Sequence, residues 1–526
     1  MGTKNFNFKK KKWLFGIIIA VFLIQALVIY LNFWVNNNIL DILNENPNRS
    51  YDIEFSEVTF SIWSRSILVE DLSITNNQNA DQYGSTLSGS IEEVQIKYIS
   101  IFDLLINKKI ITGKVKVLNP KLHILSRNEN QRAAENSKSL NRFWSNFYSS
   151  VQLSNVELIN GDVTVERASM GKTTFKSENI NVAITDVELD SLKSTNPLPF
   201  AYSSIRLNIG KTYSELGDLY LTEVDSFAAT DNNLYIKNIV LKPNMSKKEF
   251  LKNIKVEQDY ITSTIQSVYM DNTIWGFYKD SLMVKSKQLA IDSLDITFYR
   301  DKSPPDNLKK KMLYNQLIRN LSFFLAIDNF EITNSRICVE EKGIDKLETG
   351  KITFENVRAK GSHLSNLNYQ QDSIPVKLNF RSDFLGDAPL EANLSFDVKD
   401  LDDEYYLNGT LKNFDISSID SFIEPNFNIK AEGEINYLDF RIHGADYDAS
   451  AKIKVDYEDL KIQVLNKKTK RKKLLTSAVG NLLLDKNKTE KESEYVEVYG
   501  KRNTQKSIYN QMVKMILDGL KKSMMI

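Results

Sequence analysis

Residue types that often perform catalysis or bind metals are present in this chain, but their spacing matches no familiar site. His123, His363 and His443 are the only histidines, and none has a second ligand-type residue at the spacing of a metal motif. The sequence also lacks a phosphate-binding glycine loop, a GxSxG elbow and an HExxH motif. We therefore predict no catalytic residue, no metal site and no cofactor, and interpret the protein as a non-enzyme. An enzyme whose site assembles only in the fold stays open as a third hypothesis.

Charged residues offer two further candidates. Asp301 lies between Arg300 and Lys302, which favours an ion pair in a loop over a general acid. Each basic residue near an anionic membrane surface contributes about 1 kcal/mol, so a basic run could contact lipid headgroups, although a solvated loop explains the run more simply. The residues proposed for such a headgroup or surface contact are Lys467, Lys468, Arg471, Lys472 and Lys473.

Composition excludes several classes of protein. The 526 residues include 68 basic and 67 acidic side chains, and the formal charge of +1 gives no field that would attract nucleic acid. Cys338 is the only cysteine, so no intramolecular disulfide can form. The length exceeds what one compact core normally takes, which predicts two or three units or one elongated array.

One apolar segment determines where the chain must lie. Residues 13–34 read WLFGIIIAVFLIQALVIYLNFW, bounded by Trp13 and Trp34. About twenty apolar residues in a helix cross a hydrocarbon layer of roughly 30 Å, which predicts a transmembrane anchor. Positive charge before the segment places residues 1–12 in the cytoplasm and the remainder on the far side. The lysines that set this topology are Lys9, Lys10, Lys11 and Lys12. A cleaved signal peptide is the alternative, but its apolar core would span only about 7–15 residues.

Beyond the anchor, apolar and polar residues alternate with a period of two. An antiparallel sheet with one apolar and one wet face produces this alternation, which predicts a mostly β, antiparallel fold. In VQLSNVELINGDVTV (151–165) a polar pair interrupts the pattern, and a turn or bulge is expected there. Residues proposed to line the apolar face include Val58, Phe60, Ile62, Val94, Ile96, Val115, Val117, Ile180, Val182 and Ile184.

Helical periodicity is confined to a few short amphipathic segments. Apolar residues at i,i+4 predict helices within residues 130–149, 306–324 and 506–524. The last of these could cap the end of a sheet or lie on a membrane.

An apolar sheet face of this extent must be covered by another sheet, closed into a barrel or left as a groove. An open groove would far exceed the apolar patch that a soluble monomer normally exposes, and beside a membrane its natural ligand is lipid. Phospholipid is thus a hypothetical partner, entering near residues 35–75. The alternative is a structural or scaffolding protein with closed β-sandwiches and no lipid path.

Several phrases give the chain a family resemblance. Residues 90–125 look like a repeating unit of a strand, a short helical turn and a further strand that runs into a proline, here Pro120. Together with residues 151–165 and IDNFEITNSRICVEE (327–341), they resemble AsmA-like proteins of the Gram-negative envelope, of the AsmA/TamB superfamily. The segments ITFYRDKSPPD (296–306), 407–444 and KVDYEDLKIQVL (454–465) are similar to members from Bacteroidota.

The resemblance implies a single-pass inner-membrane protein whose bulk lies in the periplasm. It implies an elongated, curved β-sheet with an apolar interior, a role in phospholipid transport and outer-membrane biogenesis, and partners in the envelope. A shorter shuttle or assembly factor stays open, because the chain is shorter than the largest members. The expected organisation is a cytoplasmic basic segment (1–12), the anchor (13–34), an N-terminal periplasmic β region (35–300), a linker and helix (301–325), a C-terminal AsmA-like β region (326–466), and a basic loop with a C-terminal amphipathic helix (467–526).

Overall fold

The computed structural model describes residues 25–26, 29–30, 51–61, 63–76, 85–100, 103, 109–126, 151–169, 171–189, 201–278, 281–344, 346–367, 374–465, 489 and 493–524. Within these residues no helix has the length and apolar character needed to cross a membrane. The predicted anchor ends Trp13 and Trp34, the lysines Lys9–Lys12 and the basic run 467–473 lie outside the described residues, as do Ile62 and the helix expected at 130–149.

The described chain is mostly β and divides into two compact units. The first comprises residues 1–213 with 228–231, and the second comprises 214–227 with 232–526. Strands of the first unit are β1 (Tyr51–Glu54), β2 (Glu57–Ser61), β3 (Ser66–Asn76), β4 (Ser85–Lys97), β5 (Ile110–Thr112), β6 (Lys114–Leu118), β7 (Lys121–Ser126), β8 (Val151–Arg167), β9 (Lys172–Leu189) and β10 (Ser204–Ile209). Strands β11 (Thr212–Leu216) and β12 (Tyr220–Thr230) contain residues of both units.

The second unit contains the remaining strands and, among its described residues, four α-helices. Its strands are β13 (Leu234–Pro243), β14 (Asp259–Asp271), β15 (Ile274–Tyr278), β16 (Ser281–Asp301), β17 (Phe324–Lys342), β18 (Gly350–Ser365), β19 (Val376–Phe384), β20 (Ala388–Phe396), β21 (Tyr405–Asp415), β22 (Ile429–Gly444), β23 (Asp448–Val464) and β24 (Val496–Lys501). Its helices are α1 (Lys247–Asn253), α2 (Tyr314–Arg319), α3 (Asp420–Phe427) and α4 (Ile508–Met524), with a 3₁₀ turn at Ile416–Ile419.

Most neighbouring strands pair antiparallel, which confirms the prediction from alternation. Exceptions are β8, which runs parallel to β5, β6 and β7, and β17, which runs parallel to β16. In both cases a long connection precedes the strand, residues 127–150 and 302–323 respectively. Parallel neighbours need such a crossover because the chain must return to the same end of the sheet.

The expected interruption of alternation in β8 is present as a bulge. Asn160 has a φ of 58°, and the register to β9 shifts between Leu158 and Gly161. Asn334 on β17 does the same, with a φ of 50° and a register shift between Ile332 and Ser335. Asparagine tolerates this left-handed conformation better than most residues. One extra residue resets the alternation, so apolar side chains on both sides of the bulge can share one face.

The main core of the second unit lies between its C-terminal strands and two helices. Helix α4 packs on β23 and β24, and its Ile508, Met512 and Met515 join the buried core. Helix α2 is shorter than the predicted 306–324, because neither residues 306–313 nor residues 320–324 are helical. At Lys311, two hydrogen bonds tie that segment to the chain before α4: Lys311 N–H donates to the Thr504 carbonyl, and the Arg502 guanidinium donates to the Lys311 carbonyl.

Candidate functional site

Two rows of apolar side chains cross the sheet of the first unit. Residues paired across neighbouring strands point to the same face, so the register shows which side chains share a face. One row, through β2, β3, β4, β6, β8, β9 and β10, is Val58, Val69, Val94, Val117, Leu158, Val182 and Leu207. The parallel row is Phe60, Ile67, Ile96, Val115, Val156, Ile184 and Ile205. Seven strands at about 4.8 Å spacing give these rows a length of about 29 Å. We call the two rows together the apolar face.

Most of the apolar face remains partly exposed. Val58, Phe60, Val69 and Ile205 are buried, whereas the other members are half-buried. Between residues 51 and 213 the described residues form strands and their connections, apart from the helical residue Asp103. Within the described residues the apolar face is therefore a largely aliphatic surface, most of which is only half-buried.

The opposite side of the same strands is polar. Gln95, Lys116, Glu157 and Arg206 are among the residues that alternate with the apolar rows. Lys114 forms an ion pair of 2.9 Å with Glu157, and this hydrogen bond holds the pKa of the Glu157 carboxyl below its usual value. The strands thus separate a wet face from an apolar one.

The C-terminal strands of the second unit provide a contrast. Their apolar side chains form a core in which Ile453, Val455 and Tyr457 have no exposed surface. Helix α4 lies against this core, and its Gly519 sits so close to Ile453 that no larger residue would fit. This part of the chain is filled by its own side chains, unlike the apolar face of the first unit.

The structure assigns most of the sequence-predicted apolar residues to this one surface. Val58, Phe60, Val94, Ile96, Val115, Val117, Val182 and Ile184 all belong to the two rows. Ile180 lies opposite Gly161, just beyond the bulge at Asn160, and is half-buried. Sequence reasoning did not pair them with Ile67, Val69, Val156, Leu158, Ile205 and Leu207, because alternation identifies a face but not its partner strand.

The residues whose types could serve in catalysis or metal binding lie apart from one another. His123 contacts Glu166 at 3.0 Å, whereas His443 stacks on Tyr406. Cys338 is buried on β17, and burial raises the pKa of its thiol. No group of three histidine, cysteine or carboxylate side chains within the described ranges could hold a metal ion.

Neither a family model nor a curated protein matches the chain.

Proposed function

We propose that this protein is an AsmA-like envelope protein that binds or transfers phospholipid along the apolar face. In this proposal residues 13–34 anchor it in the inner membrane, with the N-terminus in the cytoplasm and the bulk in the periplasm. The strands would form part of an elongated, curved, groove-like sheet that supports outer-membrane biogenesis or integrity. The observation that supports it is the pair of in-register aliphatic rows, about 29 Å long and largely half-exposed.

The chemistry of the rows suits an acyl chain. All but one of their members are aliphatic and the exception is Phe60, so the face offers no hydrogen bond to a headgroup. Each buried methylene contributes about 0.8 kcal/mol, and successive positions along a uniform row have nearly equal energy. An acyl chain can therefore slide along the rows while its headgroup stays in water, and no catalytic residue is required.

A second candidate function is a structural or scaffolding role without a lipid path. The filled core around Ile453 and Val455 favours it, because that core leaves no room for an acyl chain. The two candidates differ in what they predict for the first unit.

Neighbouring positions on β9 provide the test. Val182 belongs to the apolar face, and Ala183 is the next residue, so its side chain points to the opposite, polar face. We would place a photo-crosslinking amino acid at position 182 or 183 of the full chain and irradiate cells grown with radiolabelled phosphate. Lipid extraction and gel analysis then measure crosslinked phospholipid.

The proposal expects a phospholipid adduct at position 182 and little or none at position 183. Positions 182 and 183 lie on the same strand and are adjacent in the sequence, but their side chains point to opposite faces of the sheet. Absence of an adduct at 182, or equal adducts at both positions, would refute lipid binding on this face and favour the scaffolding role. Mass spectrometry of lipid that co-purifies with the unmodified chain gives an independent readout.

A further inference from the structure

The outer face of β18–β24, in the second unit, carries an unusual set of exposed polar and aromatic side chains. One in-register row across these seven strands is Lys360, Asn379, Asn393, Asn408, Arg441, Lys452 and Glu497. The neighbouring row is Ser362, Lys377, Ser395, Tyr406, His443, Ser450 and Tyr499. Two hollows of about 540 and 470 Å³ follow these rows and share Asn393, Tyr406 and Asn408. We call this surface the amide–aromatic face.

Three asparagines form a ladder across its strands. Asn379 Nδ2 donates to Asn393 Oδ1 at 2.7 Å, and Asn393 Nδ2 donates to Asn408 Oδ1 at 3.2 Å. An amide has two N–H donors and an acceptor oxygen, so each rung keeps hydrogen-bonding capacity that the ladder does not use. The bonds hold the amides in a fixed orientation toward solvent.

Aromatic rings lie beside the ladder. Tyr406 stacks on His443 with ring centroids 4.4 Å apart and 6° between the planes, and Tyr406 is 51% exposed. Tyr499 is 75% exposed, and its hydroxyl donates to Glu497 at 3.1 Å. Three strand spacings, about 14 Å, separate the strands of Tyr406 and Tyr499. Both rings thus present apolar surface to water in restrained positions.

Charges around the larger hollow compensate one another. Arg441 pairs with Asp439 at 3.2 Å, and Lys452 pairs with Glu497 at 3.0 Å. Glu391, the remaining carboxylate of the larger hollow, lies 3.5 Å from Arg381. An anionic polymer such as nucleic acid is held by uncompensated positive charge, which this hollow lacks. Because the charges of the larger hollow are paired, a neutral ligand suits this hollow better than an anionic one.

We propose that the amide–aromatic face binds a neutral polysaccharide strand. A sugar ring has an apolar C–H surface that can lie on an exposed tyrosine, while its hydroxyl groups donate to and accept from side-chain amides. These groups extend from Asn379 on β19 to Tyr499 on β24, about 24 Å, which fits a chain of sugars better than a single small molecule. This function is additional to lipid binding, and it uses a different face in a different unit.

The test is a titration of the full chain, purified in detergent, with chitohexaose and cellohexaose as neutral probes and a heparin hexasaccharide as anionic probe. Isothermal calorimetry should show saturable binding of at least one neutral probe and weaker binding of heparin. Tyr499→Ala and Asn393→Ala should each lower the affinity about tenfold, the loss expected for one stacking or amide contact. Tyr447→Ala is the matched control, because Tyr447 is 71% exposed and lies outside both hollows.

Three results would overturn the proposal: binding of neither neutral probe, tighter binding of heparin, or an affinity that Tyr499→Ala leaves unchanged. An equal loss in Tyr447→Ala would also overturn the assignment to this face. Thermal unfolding of each variant excludes loss of fold, which exposed side chains are not expected to cause. None of these outcomes changes the crosslinking result at position 182, so the two proposals can fail independently.

Discussion

Val182 on β9 lies directly opposite Leu158 on β8, and both side chains remain half-buried in the described structure. Ile453 on β23 also belongs to an apolar strand row, yet it has no exposed surface. The same alternation of residue types therefore produces a half-buried face in one place and a filled core in another, within the part of the chain that the structure describes.

Val182→Asp should lower the free energy of unfolding by about 1–2 kcal/mol, because a half-exposed carboxylate can stay hydrated. Ile453→Asp should cost more than about 4 kcal/mol, because it places a charge in a cavity without a partner. Urea unfolding followed by circular dichroism measures both. Equal losses in the two variants would mean that the face around Val182 is covered as completely as the core.

Gly519 permits the close approach of α4 to β23. A Cβ at this position would lie 2.1 Å from Ile453 Cγ1, much closer than side chains can approach. We expect Gly519→Ala to destabilise the C-terminal core by about 1–3 kcal/mol, the usual range for overpacking. The neighbouring exposed Asp518→Ala is the control and should change thermal unfolding little. A Gly519→Ala protein as stable as the control would contradict this packing.

A buried ion pair links the β22–β23 turn to the chain before α4. The Arg502 side chain has no exposed surface, and its Nη1 donates to Asp446 Oδ1 at 2.7 Å. Arg502→Met should cost about 3 kcal/mol, because Asp446 would keep only the half-exposed Lys310 as an ion-pair partner and the Lys311 carbonyl would lose its donor. Lys452→Met breaks the exposed pair with Glu497 and should cost less than about 1 kcal/mol. Chemical denaturation compares the two, and similar losses would argue against a buried role for Arg502.

Asp292 on β16 gives the protein a specific acid sensitivity. The Thr333 hydroxyl donates to Asp292 Oδ1 at 2.8 Å and the Asn334 amide donates to the same atom at 2.8 Å, and these bonds hold the pKa of the Asp292 carboxyl below its usual value. A carboxyl with a lowered folded-state pKa stabilises the fold above its unfolded pKa of about 3.9. That stabilisation is lost as the pH falls through the folded-state pKa.

Asp292→Asn should therefore be less stable than the parent at pH 6, and the difference should shrink as the pH falls below about 4. Urea unfolding at a series of pH values measures this convergence. Asp295→Asn provides a comparison on the same strand. Asp295 Oδ1 lies 3.3 Å from Arg336 Nη1, and the Asp295 side chain is half-exposed. A stability difference that stays constant with pH would show that the Asp292 charge plays no part.

Local patterns predicted those features that depend on neighbours in the sequence. Alternation in β8 and the bulge near Asn160 follow from sterics within a few residues. Helix α4 likewise has Ile508 and Met512 on its buried side, as the i,i+4 spacing predicts. The shorter extent of α2 could not be predicted, because the backbone of Lys311 donates to Thr504 and accepts from Arg502, residues that are distant in the sequence.

The sequence by itself determined that the chain forms a mostly β structure with one apolar and one polar side to its strands, because side-chain direction in a strand alternates with every residue. Only the tertiary structure decided which strands are neighbours, since register depends on pairing between distant segments such as β6 and β8. It also decided that Ile453 is covered by α4 while Val182 is not covered by any described helix. Equivalent apolar residues acquire different roles because coverage is a property of the fold and not of the strand.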